Sequence, residues 1–98
     1  APAAPGPVAE LRPAYPNPFN PSTTVQFTLP AAGPAELVIT DLRGRHVRTL
    51  ATGTLAAGTH RAVWSGQDDR GRAVSSGVYL ARLQASGTVQ SQRLSLIK

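Results

Sequence analysis

The chain has 98 residues, enough for one small domain, and no cysteine, which excludes disulfide bonds and cysteine metal sites. A formal net charge of +5 raises the possibility of a nucleic-acid partner. The basic residues are scattered, however, and no aromatic residues are interleaved with them as a stacking platform would need, so we expect no nucleic-acid partner. No run of about 18 apolar residues is present, and we therefore expect no membrane insertion.

Ala, Pro and Gly dominate residues 1–10, a composition that favours an extended chain and buries no core. We interpret 1–10 as the end of an interdomain linker and 11–98 as the last domain of a longer chain. The segment Leu11–Pro21 carries four prolines and few backbone donors. We expect it to cover a sheet edge and to insert Tyr15, Phe19 or both.

Alternating apolar and polar residues predict most of the strands. They are Thr24–Leu29, Glu36–Leu42, His46–Leu50, Thr59–Trp64, Gly77–Leu83 and Val89–Ile97. The stretch Ala51–Gly58 is predicted to be a loop. About seven short strands at this spacing, with nine glycines and nine prolines, are typical of an all-β, immunoglobulin-like antiparallel β-sandwich.

Two aromatic residues are predicted to anchor the core. Trp64 ends one strand, and Tyr79 lies just inside another, beyond a glycine-punctuated loop. A tyrosine in this position of an immunoglobulin-like fold often ties down a loop through its hydroxyl group. In the hairpin Asp41–Arg45, Gly44 is the natural residue for a positive φ angle.

The residues that carry chemistry are few. The chain has two histidines and five acidic residues, and no nucleophile motif, so we expect no enzyme activity and no cofactor. The adjacent Asp68 and Asp69 raise the question of a calcium site. They lack the alternate spacing of a calcium loop and have Arg70 beside them, so we favour an aspartate-capped turn without metal.

An ordered set of short motifs extends along the chain. They are Tyr15–Thr24, Phe27–Pro30, Asp41–Arg45, Ala57–His60, Trp64–Gly66, Asp68–Gly71 and Ser76–Tyr79, followed by the basic terminal Lys98. In this order they resemble the C-terminal sorting domains (type A) of the type IX secretion system. The related immunoglobulin-like domain of flagellar hook-capping proteins is similar.

The resemblance implies a non-catalytic, monomeric domain that directs the export of an N-terminal cargo domain in the same chain. Its partners would be the outer-membrane secretion machinery and a sortase-like peptidase. The protein would pass through the periplasm and be secreted or held at the cell surface. The recognition candidates that the resemblance indicates are Gly44, Arg45 and Lys98.

Two other functions remain as alternatives. The domain could be a structural spacer or assembly module, as in the hook-capping relatives. It could also be a carbohydrate-binding module, but sugar binding needs exposed aromatic platforms. The five aromatic residues are mostly assigned inward, namely Tyr15, Phe19, Phe27, Trp64 and Tyr79.

Overall fold

Two antiparallel sheets form the protein, and the computed structural model describes residues 9–85 and 87–97 of it. The strands are β1 (Glu10–Leu11), β2 (Thr23–Leu29), β3 (Gly33–Asp41), β4 (His46–Leu55), β5 (Gly58–Trp64), β6 (Gly77–Ala85) and β7 (Thr88–Leu96). One sheet has the order β1-β2-β5 and the other β4-β3-β6-β7. The predicted immunoglobulin-like sandwich is confirmed. The described residues contain no helical segment with the length and hydropathy to cross a membrane.

The prediction of a loop at Ala51–Gly58 is wrong for most of its length. Strand β4 continues to Leu55 and pairs with the first half of β3, where Leu37 lies opposite Ala51 and Gly33 opposite Leu55. This stretch pairs without a register shift, and the two shifts of the β3–β4 ladder lie further along, at Leu37/Val38 and Ile39/Thr40. The backbone ladder to β3 therefore forms this part of the strand without an apolar pattern.

The boundary between linker and domain stays a prediction, and the structure describes two residues of the predicted linker. Glu10 pairs with Thr28 as part of β1, and Ala9 is buried. The side chain of Gln90 on β7 holds this segment, because its Nε2 donates to Ala9 O at 2.6 Å and its Oε1 accepts from Leu11 N at 2.6 Å. Ala9 and Glu10 therefore contact the sandwich through β7 and β2, respectively.

The core lies between the sheets and is filled by side chains that alternate along each strand. Its largest fully buried apolar residues are Trp64, Phe27, Leu37, Ile39, Leu83, Leu94, Leu96 and Val25. Trp64 contacts Phe19 on one side, with ring centroids 5.6 Å apart, and Tyr79 on the other. The Tyr79 hydroxyl donates to Ser75 O at 2.6 Å, so the predicted tie between this tyrosine and the loop is confirmed.

The proline-rich segment closes the sandwich at the end where β2 begins. Tyr15 exchanges two backbone hydrogen bonds with Thr24 of β2. Further along, Phe19 N donates to Ser95 O and Phe19 O accepts from Ile97 N, both at 2.9 Å, which covers the outer edge of β7. The predicted edge cover is confirmed. Phe19 enters the core, whereas Tyr15 does not.

Candidate functional site

Two loops lie side by side at one end of the sandwich, the β3–β4 hairpin and the β5–β6 loop. Asp41 at the end of β3 lies opposite Tyr79 at the start of β6, and Tyr79 lies opposite Leu94 near the end of β7. The strands therefore bring the hairpin, the loop and the end of β7 to the same end of the molecule. The two predicted recognition regions, the hairpin and the final strand, are thereby brought to one end.

The first loop is a turn organised by a single carboxylate. Asp41 Oδ1 accepts the backbone N–H groups of Arg43 and Arg45, both at 2.9 Å, and Oδ2 accepts Arg45 Nε at 2.8 Å. Gly44 has a φ angle of 83°, as predicted, and its N–H donates to Asp41 O. The turn is thus held by its own residues and does not depend on the core.

The second loop contains a turn with the same geometry. Asp68 Oδ1 accepts the N–H groups of Arg70 and Arg72 at 2.9 Å, and Oδ2 accepts Arg72 Nε at 3.1 Å. Gly71 has a φ angle of 79° and donates to Asp68 O. The two turns share the sequence Asp-x-Arg-Gly-Arg, and we call Asp41–Arg45 and Asp68–Arg72 the arginine turns.

Asp69 joins the second arginine turn to the start of β4, which directly follows the first turn. Its Oδ2 accepts a hydrogen bond from His46 Nε2 at 2.6 Å, and its Oδ1 accepts Thr49 N at 2.8 Å. Arg48 adds a second link by donating to Asp68 O at 2.6 Å. The favoured interpretation of the Asp68–Asp69 pair, an aspartate-capped turn, is confirmed by the bonds of Asp68 Oδ1 to Arg70 N and Arg72 N.

The carboxylates of Asp41 and Asp68 face inward, whereas the guanidinium groups that they bind face outward. The side chains of Asp41 and Asp68 are each 22% exposed, against 74% for Arg45 and 69% for Arg72. Backbone hydrogen bonds from Arg45 and Arg72 are the main cause that lowers the pKa of Asp41 and of Asp68, respectively, below 3.8. The surface at this end therefore presents mainly cationic donors.

The pKa of Asp69 is also lowered from 3.8, chiefly by the hydrogen bond from Thr49 N and then by the one from His46. Thr49 Oγ1 lies 3.4 Å from the same ring nitrogen of His46 that contacts Asp69. A proton relay needs the acid and the nucleophile on different ring nitrogens, so this Asp–His–Thr contact is structural and connects the two loops.

Among the described residues, no group of three or more His, Cys, Asp or Glu side chains could hold a metal ion.

The predicted recognition residues fall as follows. Gly44 lies in the first arginine turn, where no atom lies within 4 Å of the position that a Cβ would take. Arg45 is exposed there, and its Nε also pairs with Asp41, so its side chain helps to hold the turn. Lys98 lies outside the described residues. Its neighbour Ile97 is exposed at the same end of the sandwich.

Sequence reasoning missed the second arginine turn as a partner of the first. The signal was present, because the pentapeptide Asp-x-Arg-Gly-Arg occurs at 41–45 and again at 68–72. An aspartate that accepts backbone N–H groups two and four residues later is a known turn motif, and glycine supplies the positive φ. No local sequence pattern indicated that His46 would contact Asp69 of the second turn.

Tyr15 is the aromatic residue that departs from the expectation that these side chains mostly point inward. Ala14 is buried, and because successive side chains of an extended segment alternate, the Tyr15 ring points outward and is 81% exposed. Among the described residues it is the single exposed Phe, Tyr or Trp side chain, since Phe19, Phe27, Trp64 and Tyr79 are buried. One ring does not make the platform that a carbohydrate site needs.

Comparison with known proteins identifies a family. Residues 19–88, more than half of the chain, match the family described as the FlgD Ig-like domain. The chain belongs to this family. Over 68 residues it is 40% identical to the basal-body rod modification protein FlgD of Salmonella typhimurium, and equally to that of Salmonella typhi. The match covers 66% of this chain but 29% of the length of these curated relatives.

Solved structures with a similar fold include parts of larger proteins. Latent PorU of Porphyromonas gingivalis matches 92% of this chain with 9% of its own, at a TM-score of 0.70 and 20% identity. PorZ of the same organism, a surface component of the type IX secretion system, matches 92% of this chain with 11% of its own chain, at a TM-score of 0.56 and 25% identity. FlgD of Xanthomonas campestris matches 90% of this chain with 66% of its own chain, at a TM-score of 0.56 and 24% identity.

Proposed function

We propose that this domain is a non-catalytic recognition module that directs the export of an attached protein through the type IX secretion system. The observation that carries the proposal is the first arginine turn. Its conformation is held by Asp41, so the exposed Arg45 can change without disturbing the core. A sorting signal that another protein recognises needs such residues, which contribute to binding more than to folding.

Two further observations support this role. The order of motifs from Tyr15 to Tyr79 resembles the sorting domains of that secretion system. The fold is also found in PorZ, whose similar part is 11% of the chain, so the sandwich occurs there as one module of a larger surface protein. In the proposal the domain is a monomer that follows an N-terminal cargo domain, and a sortase-like peptidase acts on it after transit through the periplasm.

An export assay tests the proposal. The whole chain, residues 1–98, is fused behind a periplasmic reporter in a bacterium that has the secretion system, and the reporter is measured in periplasm, at the surface and in the medium. The wild-type fusion should leave the periplasm, whereas Arg45→Ala should accumulate there while folded. The matched control is Arg61→Ala, because Arg61 is also exposed and also donates through Nε, to Gln26 at 3.3 Å. A wild-type fusion that stays in the periplasm contradicts the proposal.

The second candidate function is that of an assembly module. The 40% identity to the basal-body rod modification protein FlgD favours it. The test is a chimaera in which residues 9–98 replace the matching part of the Salmonella protein. Restored swimming motility in a strain without its own copy would support the assembly role, and its absence with a stable chimaera would contradict it.

A further inference from the structure

We propose that the two arginine turns together bind an acidic segment of a partner protein, whose carboxylates pair with the guanidinium groups of Arg43, Arg45, Arg70 and Arg72. The proposal rests on the recognition role above and names the chemistry of the partner. Its basis is the repetition of one turn at two places that the fold brings together. The partner would be recognised by both turns at once.

Two of the four guanidinium groups, those of Arg45 and Arg72, are held in place before a partner arrives. Arg45 and Arg72 each use Nε to bind the aspartate of their own turn, which leaves both terminal nitrogens for another acceptor. Within the described part of the chain, the side chains of Arg43 and Arg70 have no hydrogen-bond or ion-pair partner. A guanidinium group binds a carboxylate through two parallel hydrogen bonds, and restricting its motion beforehand reduces the entropy lost on binding.

The link between the turns fixes their spacing. The Asp69–His46 contact at 2.6 Å and the Arg48–Asp68 contact at 2.6 Å connect the start of β4 to the second turn. The first link runs between the residue after Arg45 and the residue before Arg70. The fold therefore places the cationic groups of both turns at a single end of the sandwich.

The charge balance favours protein carboxylates over a polyanion. This end has five arginines, Arg43, Arg45, Arg48, Arg70 and Arg72, against Asp41, Asp68 and Asp69. Polyanions gain affinity from many uncompensated cations that release counterions, and nucleic acids gain more from aromatic stacking. The excess of cations here is small and neither arginine turn contains an aromatic residue, so a few well-placed carboxylates fit the site better.

The test uses a short fluorescent oligoglutamate peptide, with binding measured by anisotropy at low salt. The variant Arg43→Gln/Arg70→Gln removes two arginines that hold no internal bond, and the control Arg61→Gln/Arg82→Gln removes the same charge from β5 and β6. We expect the first pair to weaken binding about fivefold to tenfold, and the control by less than about twofold. Unchanged thermal unfolding of each variant shows that the fold is intact.

Three results overturn the proposal: the wild type does not bind the peptide, both pairs weaken binding equally, or inorganic polyphosphate binds the same arginines more tightly than the peptide.

The same Arg43→Gln/Arg70→Gln variant is then tested in the export assay, where its reporter should remain in the periplasm. Export of the wild-type fusion without peptide binding refutes this inference and leaves the export role standing. Peptide binding through the turns without export of the wild type refutes the export role instead.

Discussion

The rings of Trp64 and Tyr79 meet edge to face with their centroids 5.1 Å apart, and both side chains also hold the loop between them. Trp64 Nε1 donates to Gln67 O at 2.8 Å, and the Tyr79 hydroxyl donates to Ser75 O at 2.6 Å. The two anchors of the core thus bracket the second arginine turn, which lies between these acceptors in the sequence. The position of the turn depends on the packing of the core.

Replacing the tryptophan should be severely destabilising. Trp64→Ala empties the largest fully buried side-chain volume and should lower the free energy of unfolding by about 3–5 kcal/mol. The measurement is chemical denaturation followed by circular dichroism. Tyr15→Ala is the matched control, because its ring is exposed, and should change the free energy by less than about 0.5 kcal/mol. A shift below about 1 kcal/mol for Trp64→Ala would contradict the observed burial.

Calcium should not stabilise the protein. The carboxylate oxygens of Asp68 and Asp69 already accept hydrogen bonds from Arg70, Arg72, Thr49 and His46. A metal ion would have to replace these donors, and a ligand stabilises a protein only if it binds the folded state. Thermal unfolding with millimolar calcium should therefore match unfolding with excess chelator. A calcium-dependent rise of several degrees would show that the turn opens to bind the ion.

Acid should destabilise the domain through its aspartates. The pKa values of Asp41, Asp68 and Asp69 are lower in the folded state than the ordinary 3.8, so their ionised forms stabilise the fold above that value. This contribution is lost as pH falls through the lowered values. Denaturation measured between about pH 5 and pH 2 should show a decline in unfolding free energy. In Asp68→Asn the decline should be shallower, and an equal decline would mean that Asp68 adds nothing.

The two arginine turns should respond alike to loss of their glycines. Gly44→Ala and Gly71→Ala place a side chain at φ angles of 83° and 79° with open space around it, so backbone strain alone should cost about 1–2 kcal/mol in each case. Gly33→Ala is the control, since its site is equally open and its φ is not in the left-handed region. Unequal costs for the two turns, measured by urea denaturation, would show that they are not equivalent in solution.

Much of the fold was predictable because one face of each strand is buried. Along β6, Tyr79, Ala81 and Leu83 are buried, as alternation requires, and β2 follows the same rule. The second half of β4 was not predicted as a strand, because its exposed residues Thr52, Gly53 and Thr54 have a composition typical of a loop. Pairing with β3 decides their conformation, and that contact is not local in sequence.

The site was predictable only in part. The local pattern of Asp41–Arg45 indicated a tight turn with Gly44 at positive φ, because the aspartate and glycine act within five residues. The contact between His46 and Asp69 joins residues 23 positions apart and follows from the packing of two loops. The outward direction of Tyr15 likewise depends on packing, because the adjacent Ala14 is the residue that is buried in the core.

The Gln90 contacts with Ala9 and Leu11 have a mechanical consequence. A chain joined ahead of Ala9 would pull first on these two hydrogen bonds and on the short pairing of β1 with β2. Tension from that side would thus separate β1 from β2 before it broke the longer pairings of β3, β6 and β7. The arginine turns, at the far end of those ladders, would keep their geometry under a load that had already detached the first strand.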